Sequence, residues 1–293
     1  MEAFIITTAV AKRFRAHKIV ARYGFKPTYC CTNEKRRKAL LRLGIPSKSI
    51  VVMSIPEDTG IYETVLARHF VAKHLMQRNV WSIWLDDNVT ALTGLKPSIS
   101  ENKLDFSDLK ARERKVWRRS FEHVLKNHEL QEHIETMIHR AEEANTIYCG
   151  CATSPNYYFR ANKWQDFGYC RTNFALYKND DSTWNPANVD PNTIEDLVKS
   201  VDVVARYGQV VVNRHIHVVK PQFESGGIGD FKFRLPWLRA CCKSLMEAYP
   251  GLLKYSKGST QYGVYADKYH VQFAKRSRAT VDAWRREHGY LDE

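Results

Sequence analysis

The segment WSIWLDDNVT, residues 81–90, runs from an apolar stretch into Asp86, Asp87 and Asn88. Adjacent carboxylates with no Lys or Arg beside them in sequence repel one another unless a positive charge sits between them. A hard divalent cation supplies that charge. Mg²⁺ or Mn²⁺ is typically held by one or two carboxylates and completed by substrate phosphates. The plainer alternative is that Asp86 or Asp87 caps the next helix while the others face solvent. A second acidic pair, Glu195 and Asp196 in NTIEDL, falls at an expected helix start, where the macrodipole alone favours carboxylates. In combination the two pairs suit transfer of a group from a metal-bound diphosphate to a hydroxyl, one set meeting the cation and the other supplying a general base. His215 and His217 in NRHIHVV stand two apart, so a regular strand puts them on one face, either as metal ligands or as a packed pair. Gly226 and Gly227 in ESGGIG let backbone approach a ligand closely, or simply turn the chain.

The elements that would position these residues alternate. AFIITTA and SIVVMSIP read as buried strands, and between them TNEKRRKALLRLG reads as a helix with Thr32 or Asn33 as cap and Gly44 as stop. ETVLARHFVAKHLMQR spaces Val65, Leu66, His69, Phe70 and Lys73 as an amphipathic helix does, and VWSIWL follows as a strand. This rhythm predicts βαβ units and a mainly parallel sheet, whose ligands sit beyond the carboxyl ends of the strands. Asp86, Asp87 and Asn88 fall at such an end. Residues 98–145 are dense in charge and predict helices laid over the sheet's edge. Strand signals return in TIYCGCATS, NFALYKN and QVVVNRHIHVV, with a helix from Glu195 to about Arg206 capped at Thr193 and stopped by Gly208. From LPWLRACC onward the pattern is helix, loop and a basic helical tail.

Lys and Arg number 45 against 32 Asp and Glu, an excess of 13 that points to a partner rich in negative charge, nucleic acid before sugar-nucleotide or membrane phosphates, or else to a basic surface that only confers solubility. The basic clusters KRFRAHK, KARERKVWRR and KRSR suit phosphate contacts. Seven cysteines, two pairs of them adjacent and none in a repeated C-x-x-C, argue against a disulfide scaffold or a zinc ribbon. No window approaches the length of an apolar membrane span, and the N-terminus lacks a basic region before its apolar run, so the expected location is the cytoplasm.

IWLDDNV, preceded by LARHFV and followed by IEDL and then FESGGIG, resembles the GT-A class of nucleotide-sugar glycosyltransferases. Within that class it is most similar to the TET-associated DNA glycosyltransferases of phages, relatives of the base J glucosyltransferase. The resemblance covers residues 1–235 and implies a Rossmann-like α/β/α sandwich, with residues 236–293 as a helical, basic extension packed on the same domain. It implies an Asp-x-Asp element at Asp86–Asn88, with Asp86 near the donor and Asp87 and Asn88 on Mn²⁺ or Mg²⁺. A histidine, His215 or His217, completes the metal site. Thr7 and Thr8 lie near the donor nucleobase, Arg68 reaches its phosphates or else is a surface arginine of its amphipathic helix, and Gly226 and Gly227 line the donor loop. Asp196, beside Glu195, is the base of an inverting transfer from UDP-glucose or a similar nucleotide sugar to 5-hydroxymethylcytosine in DNA, a base that must leave the stack to be reached. Tyr157, Tyr158 and Phe159 are candidates to stack on or wedge against it, or else are core or strand residues. In a phage-encoded protein the location is the host cytoplasm. Other classes stay open: transfer to a protein or glycan, a metal-dependent nuclease or nucleotidyltransferase, and a non-catalytic DNA-binding module.

Overall fold

The structure is a computed structural model that describes residues 1–7, 14–55, 62–95, 122–152, 164–171, 173–181, 195–220, 231–255 and 271–292. The chain order is β1 (Glu2–Thr7), α1 (His17–Tyr23), β2 (Thr28–Cys31), α2 (Glu34–Arg42), β3 (Ile50–Val52), α3 (Tyr62–His74), β4 (Trp81–Asp86), β5 (Ala91–Leu95) and β6 (Glu122–Val124). Then follow α4 (Asn127–Glu143), β7 (Tyr148–Ala152), β8 (Trp164–Gln165), β9 (Phe174–Lys178), α5 (Glu195–Tyr207), β10 (Val211–Val219), α6 (Phe231–Ala248), β11 (Leu253–Tyr255), β12 (Val271–Phe273) and α7 (Arg278–Glu287).

The first ten strands form one mixed sheet in the order β3-β2-β1-β4-β9-β7-β10-β5-β6, with β8 paired to β10. Strands β1, β2, β3 and β4 pair in parallel, as do β7 and β10, whereas β9 runs against both β4 and β7. The chain therefore moves outward from β1 to β3 and then returns to place β4 on the other side of β1. That reversal makes the β1/β4 boundary a topological switch point. The architecture is α/β and compatible with a Rossmann-like fold.

Strand alternation sorts the core into two layers. Phe4, Ile6, Cys30, Trp84, Tyr177 and Val212 face α3, α5, α6 and α7. Ile5, Tyr29, Cys31, Ile83, Leu85 and Val211 face α1, α2 and α4. Helix α2 begins where Asn33 accepts from the Arg36 amide at 3.0 Å, the expected cap, and ends before Gly44, which has φ +80°. Helix α5 ends at Gly208, φ +86°, whose amide donates to Val204 O, a left-handed stop that glycine adopts without a Cβ clash. Arg285 of α7, 5% exposed, then donates to the terminal carbonyls of Ala205 and Arg206. A cation thus closes the negative end of the α5 macrodipole from inside the protein.

Two expectations change. Residues 127–143 do not lie over the sheet's edge but pack on its broad face, burying Leu130, Ile134, Met137 and Ala141 at helical spacing. The edge is instead made by β5 and β6, antiparallel to one another. The last helical stretch starts earlier than LPWLRACC, since α6 begins at Phe231, and it shares a core with the sheet through Cys241, Cys242, Leu245 and Trp284. All seven cysteines are buried and free. Among the described residues no helix is long and apolar enough to cross a membrane.

Candidate functional site

At the carboxyl end of β4 the pleat separates the two neighbouring aspartates. Asp86 continues the alternation of Ser82 and Trp84 toward α3. There Arg68, 2% exposed, donates to Asp86 Oδ1 at 3.0 Å and lies 5.6 Å from the Trp84 ring centre. Asn173, just before β9, donates its amide to Asp86 Oδ2, and Lys220, just after β10, places Nζ 3.6 Å from the same oxygen. Burial alone would push the Asp86 carboxyl up, but the Lys220 and Arg68 charges and the hydrogen bonds from Asn173 and Arg68 outweigh it and hold the group below its ordinary value.

Asp87 belongs to the other side. Thr7, at the carboxyl end of β1 and 1% exposed, donates its hydroxyl to Asp87 Oδ2 at 2.9 Å. The Asp87 carbonyl accepts from the Arg15 and Ala16 amides at 2.7 and 3.0 Å, anchoring the entry to α1. The next residue, Asn88, has a side-chain oxygen shut off from solvent that accepts no hydrogen bond among the described residues. The turn is pinned beyond it, where the Thr90 amide and hydroxyl both donate to Val219 O. Three strand ends therefore fix a four-residue turn in which the residue after Asp87 carries the oxygen that has no partner among the described residues.

The two carboxylates, expected to repel one another across a shared gap, do not share one: Asp86 is matched by Arg68 and Lys220 on its own side. Arg68 is neither a surface residue nor aimed outward. It is buried and engaged with Asp86. Sequence reading missed Asn173 and Lys220, although both are polar residues at strand ends on this same edge, the one signal that would have found them.

Asp196 approaches this edge from below. At the far end of α5, Tyr207 and Arg206 bind Asp180 Oδ2 at 2.7 and 2.9 Å, beyond the end of antiparallel β9 and so at the sheet's amino edge. Thirteen residues at ~1.5 Å each carry α5 about 20 Å, the span of the sheet, so its first turn reaches the carboxyl edge. Asp196 is half-buried there, with Oδ1 accepting from the Leu197 amide. The Glu195 side chain lies outside the described residues, as do Thr193, Thr8, Gly226, Gly227, Tyr157, Tyr158 and Phe159.

The histidines part company. Asn213 pairs with Cys151 while His217 pairs with Ala152, so β10 carries a large bulge between them. The His215 ring stacks at 6.3 Å on His133 of α4 and at 6.2 Å from Trp164. Ile216 and Val218 also pack on that layer, which turns His217 to the opposite face. The expected shared face is lost to the bulge. Among the described residues no three His, Cys, Asp or Glu side chains gather into a ready-made metal cage.

Comparison of the chain with protein-family models, with curated proteins and with solved structures finds no match.

Proposed function

We propose that the protein is a GT-A type glycosyltransferase that moves a sugar from a nucleotide donor, UDP-glucose or a similar compound, to the hydroxyl of 5-hydroxymethylcytosine in DNA. The observation that carries the donor half is the β1/β4 switch point. Open α/β sheets bind nucleotides at such a crevice, and here Thr7 and Asp87 meet at the strand ends, followed in sequence by Asn88, whose oxygen has no partner among the described residues. The acceptor half rests on the resemblance of the ordered motifs and on the excess of 13 positive charges.

In this assignment the residues divide the work. Asp86, held by Arg68, Asn173 and Lys220, is a positioning residue that fixes the turn. Asp87 and Asn88 fit a hard cation, because a carboxylate and a buried amide oxygen that accepts nothing among the described residues are the donor types that Mg²⁺ or Mn²⁺ takes. When bound, that cation neutralises charge on the departing diphosphate. Asp196 is assigned as base: it takes the proton of the acceptor hydroxyl while that oxygen bonds to the anomeric carbon, and the bond from that carbon to the diphosphate oxygen breaks. The nucleoside diphosphate leaves and the proton remains on the carboxyl.

The test is mass spectrometry of nucleosides from 5-hydroxymethylcytosine DNA incubated with the protein, Mn²⁺ and a panel of sugar nucleotides, beside unmodified DNA and the Asp87→Ala and Asp196→Asn variants. The expected result is a hexose-sized mass gain on the modified base alone, lost in both variants. Cleaved phosphodiesters or nucleotide addition in place of that gain would overturn the assignment in favour of a nuclease or nucleotidyltransferase.

A further inference from the structure

We infer that the outer surface of α1 and α2 is the docking surface for the phosphate backbone of duplex DNA, an inference that rests on the proposed function for its choice of partner. Between residues 14 and 55 stand ten lysines and arginines against one acid, Glu34, a net of +9 in a chain whose whole excess is 13. The charge is thus concentrated in about one seventh of the sequence and is not a general coating for solubility.

The fold gathers this charge on one side. Ile19 and Tyr23 of α1 and Leu40 of α2 are buried in the same core layer, so both helices lie on the same face of the sheet. Their opposite sides are exposed. Lys18 and Arg22 stand four apart on α1, with Lys26 following, and Lys35, Lys38 and Arg42 stand at i, i+3 and i+7 on α2, one stripe turned away from Leu40. Helix α4, on the same face, is the reverse, exposing Glu132, Glu135, Glu142 and Glu143. That acidic helix bounds the basic surface on one side and repels a polyanion from the rest of the face.

Position connects this surface to the candidate site. Helix α1 starts from amides bonded to the Asp87 carbonyl, and α2 starts at Asn33, just past the carboxyl end of β2 beside β1. A duplex laid along α1 and α2 therefore reaches the edge of the sheet where Thr7 and Asp87 lie. The exposed stripe is Lys and Arg without aromatic side chains, which suits contact with phosphates. Recognition of the modified base is left to the pocket, and the stripe supplies sequence-independent attachment.

The test measures binding of an unmodified fluorescent duplex by anisotropy across a salt series, with no sugar nucleotide present, so that it stands apart from any transfer reaction. The variant Lys35→Gln/Lys38→Gln/Arg42→Gln keeps good helix formers and is compared with Arg239→Gln/Lys243→Gln/Lys254→Gln, which removes three exposed charges on the opposite side of the sheet. Each phosphate contact contributes about 0.9 to the slope of log K against log salt, so the α2 variant is expected to lose roughly 2 to 3 from the slope and more than about tenfold in affinity near 0.1 M salt. The control is expected to match the parent, and equal melting temperatures verify folding. Equal losses in both variants, no loss in the α2 variant, or no duplex binding by the parent overturns the inference. If the duplex binds as described while no sugar is transferred to any DNA, the proposed function fails and the docking surface stands.

Discussion

Replacing Arg68 by Met tests the central ion pair of the site. The substitution keeps most of the side chain's apolar length against Trp84 while removing the cation that donates to Asp86 Oδ1 at 3.0 Å. Removing one partner from a fully buried pair costs about 3–5 kcal/mol. Asp86 is partly exposed and keeps Asn173 and, at 3.6 Å, Lys220, so the smaller figure for a hydrogen bond to a charged group, about 2–3 kcal/mol, applies. For a chain of this length that corresponds to a melting temperature lower by about 4–6 °C. The folded Asp86 carboxyl lies below its ordinary value of 3.8, so the pair's contribution is fully present above that value and is lost as pH falls through the folded one. The cost of Arg68→Met, measured by urea melts, should therefore be constant from neutral pH to about 5 and shrink below about 4. Combined with Asp86→Asn, the two losses should fall short of additivity by about 1.5–2 kcal/mol. Strict additivity, or a loss that does not change with acid, would refute the claim that Arg68 acts through Asp86.

Thr7→Val removes the hydroxyl that donates to Asp87 at 2.9 Å without changing volume, and should lower stability by about 1.5–2 kcal/mol while reducing nucleotide affinity, read by calorimetric titration. Arg285→Met strips the cation from the carbonyls of Ala205 and Arg206 and from Asp282, and a loss of about 3 kcal/mol in chemical denaturation is expected. Burial pushes the thiols of Cys30, Cys149 and Cys170 up, and all seven cysteines are buried, so a thiol reagent at neutral pH should find none reactive in the folded protein and seven in denaturant.

How much of this was legible in sequence follows the range of the forces involved. Strands β1 and β4 and helix α2 were readable because apolar runs, the Asn33 cap and the Gly44 stop act over a few residues. The parallel arrangement of β1 to β4 followed from their alternation with helices. Strand β5, ALTGL, was not recognised, because its Thr and Gly make a weak strand signal and its position is fixed by pairing with β10, over a hundred residues away. The β10 bulge was invisible for a related reason. Two histidines two apart share a face only in a regular strand, and the register against β7 decides whether the strand is regular. Within the site, Asp86 and Asp87 announced themselves by adjacency. Their divergence did not, since it depends on Arg68, Thr7, Asn173 and Lys220 arriving from four other segments.

That divergence bears on what the corner can bind. Asp86 and Asp87 carry two negative charges, and Arg68 and Lys220 carry two positive ones, so these four side chains sum to zero. A nucleoside diphosphate brought to the switch point meets no surplus of positive charge from them. Freeing Lys220 for a phosphate would leave Asp86 with Arg68 and Asn173 and add one cation at most. The divalent ion of the proposed assignment would add two on the Asp87 and Asn88 side without disturbing the Asp86 pairs, and would give a partner to the Asn88 oxygen that has none among the described residues. In sequence, the reason for a cation is the repulsion between two adjacent aspartates. In the proposed assignment Asp86 already has its cations, so the charge of the incoming phosphates becomes the reason for a divalent ion.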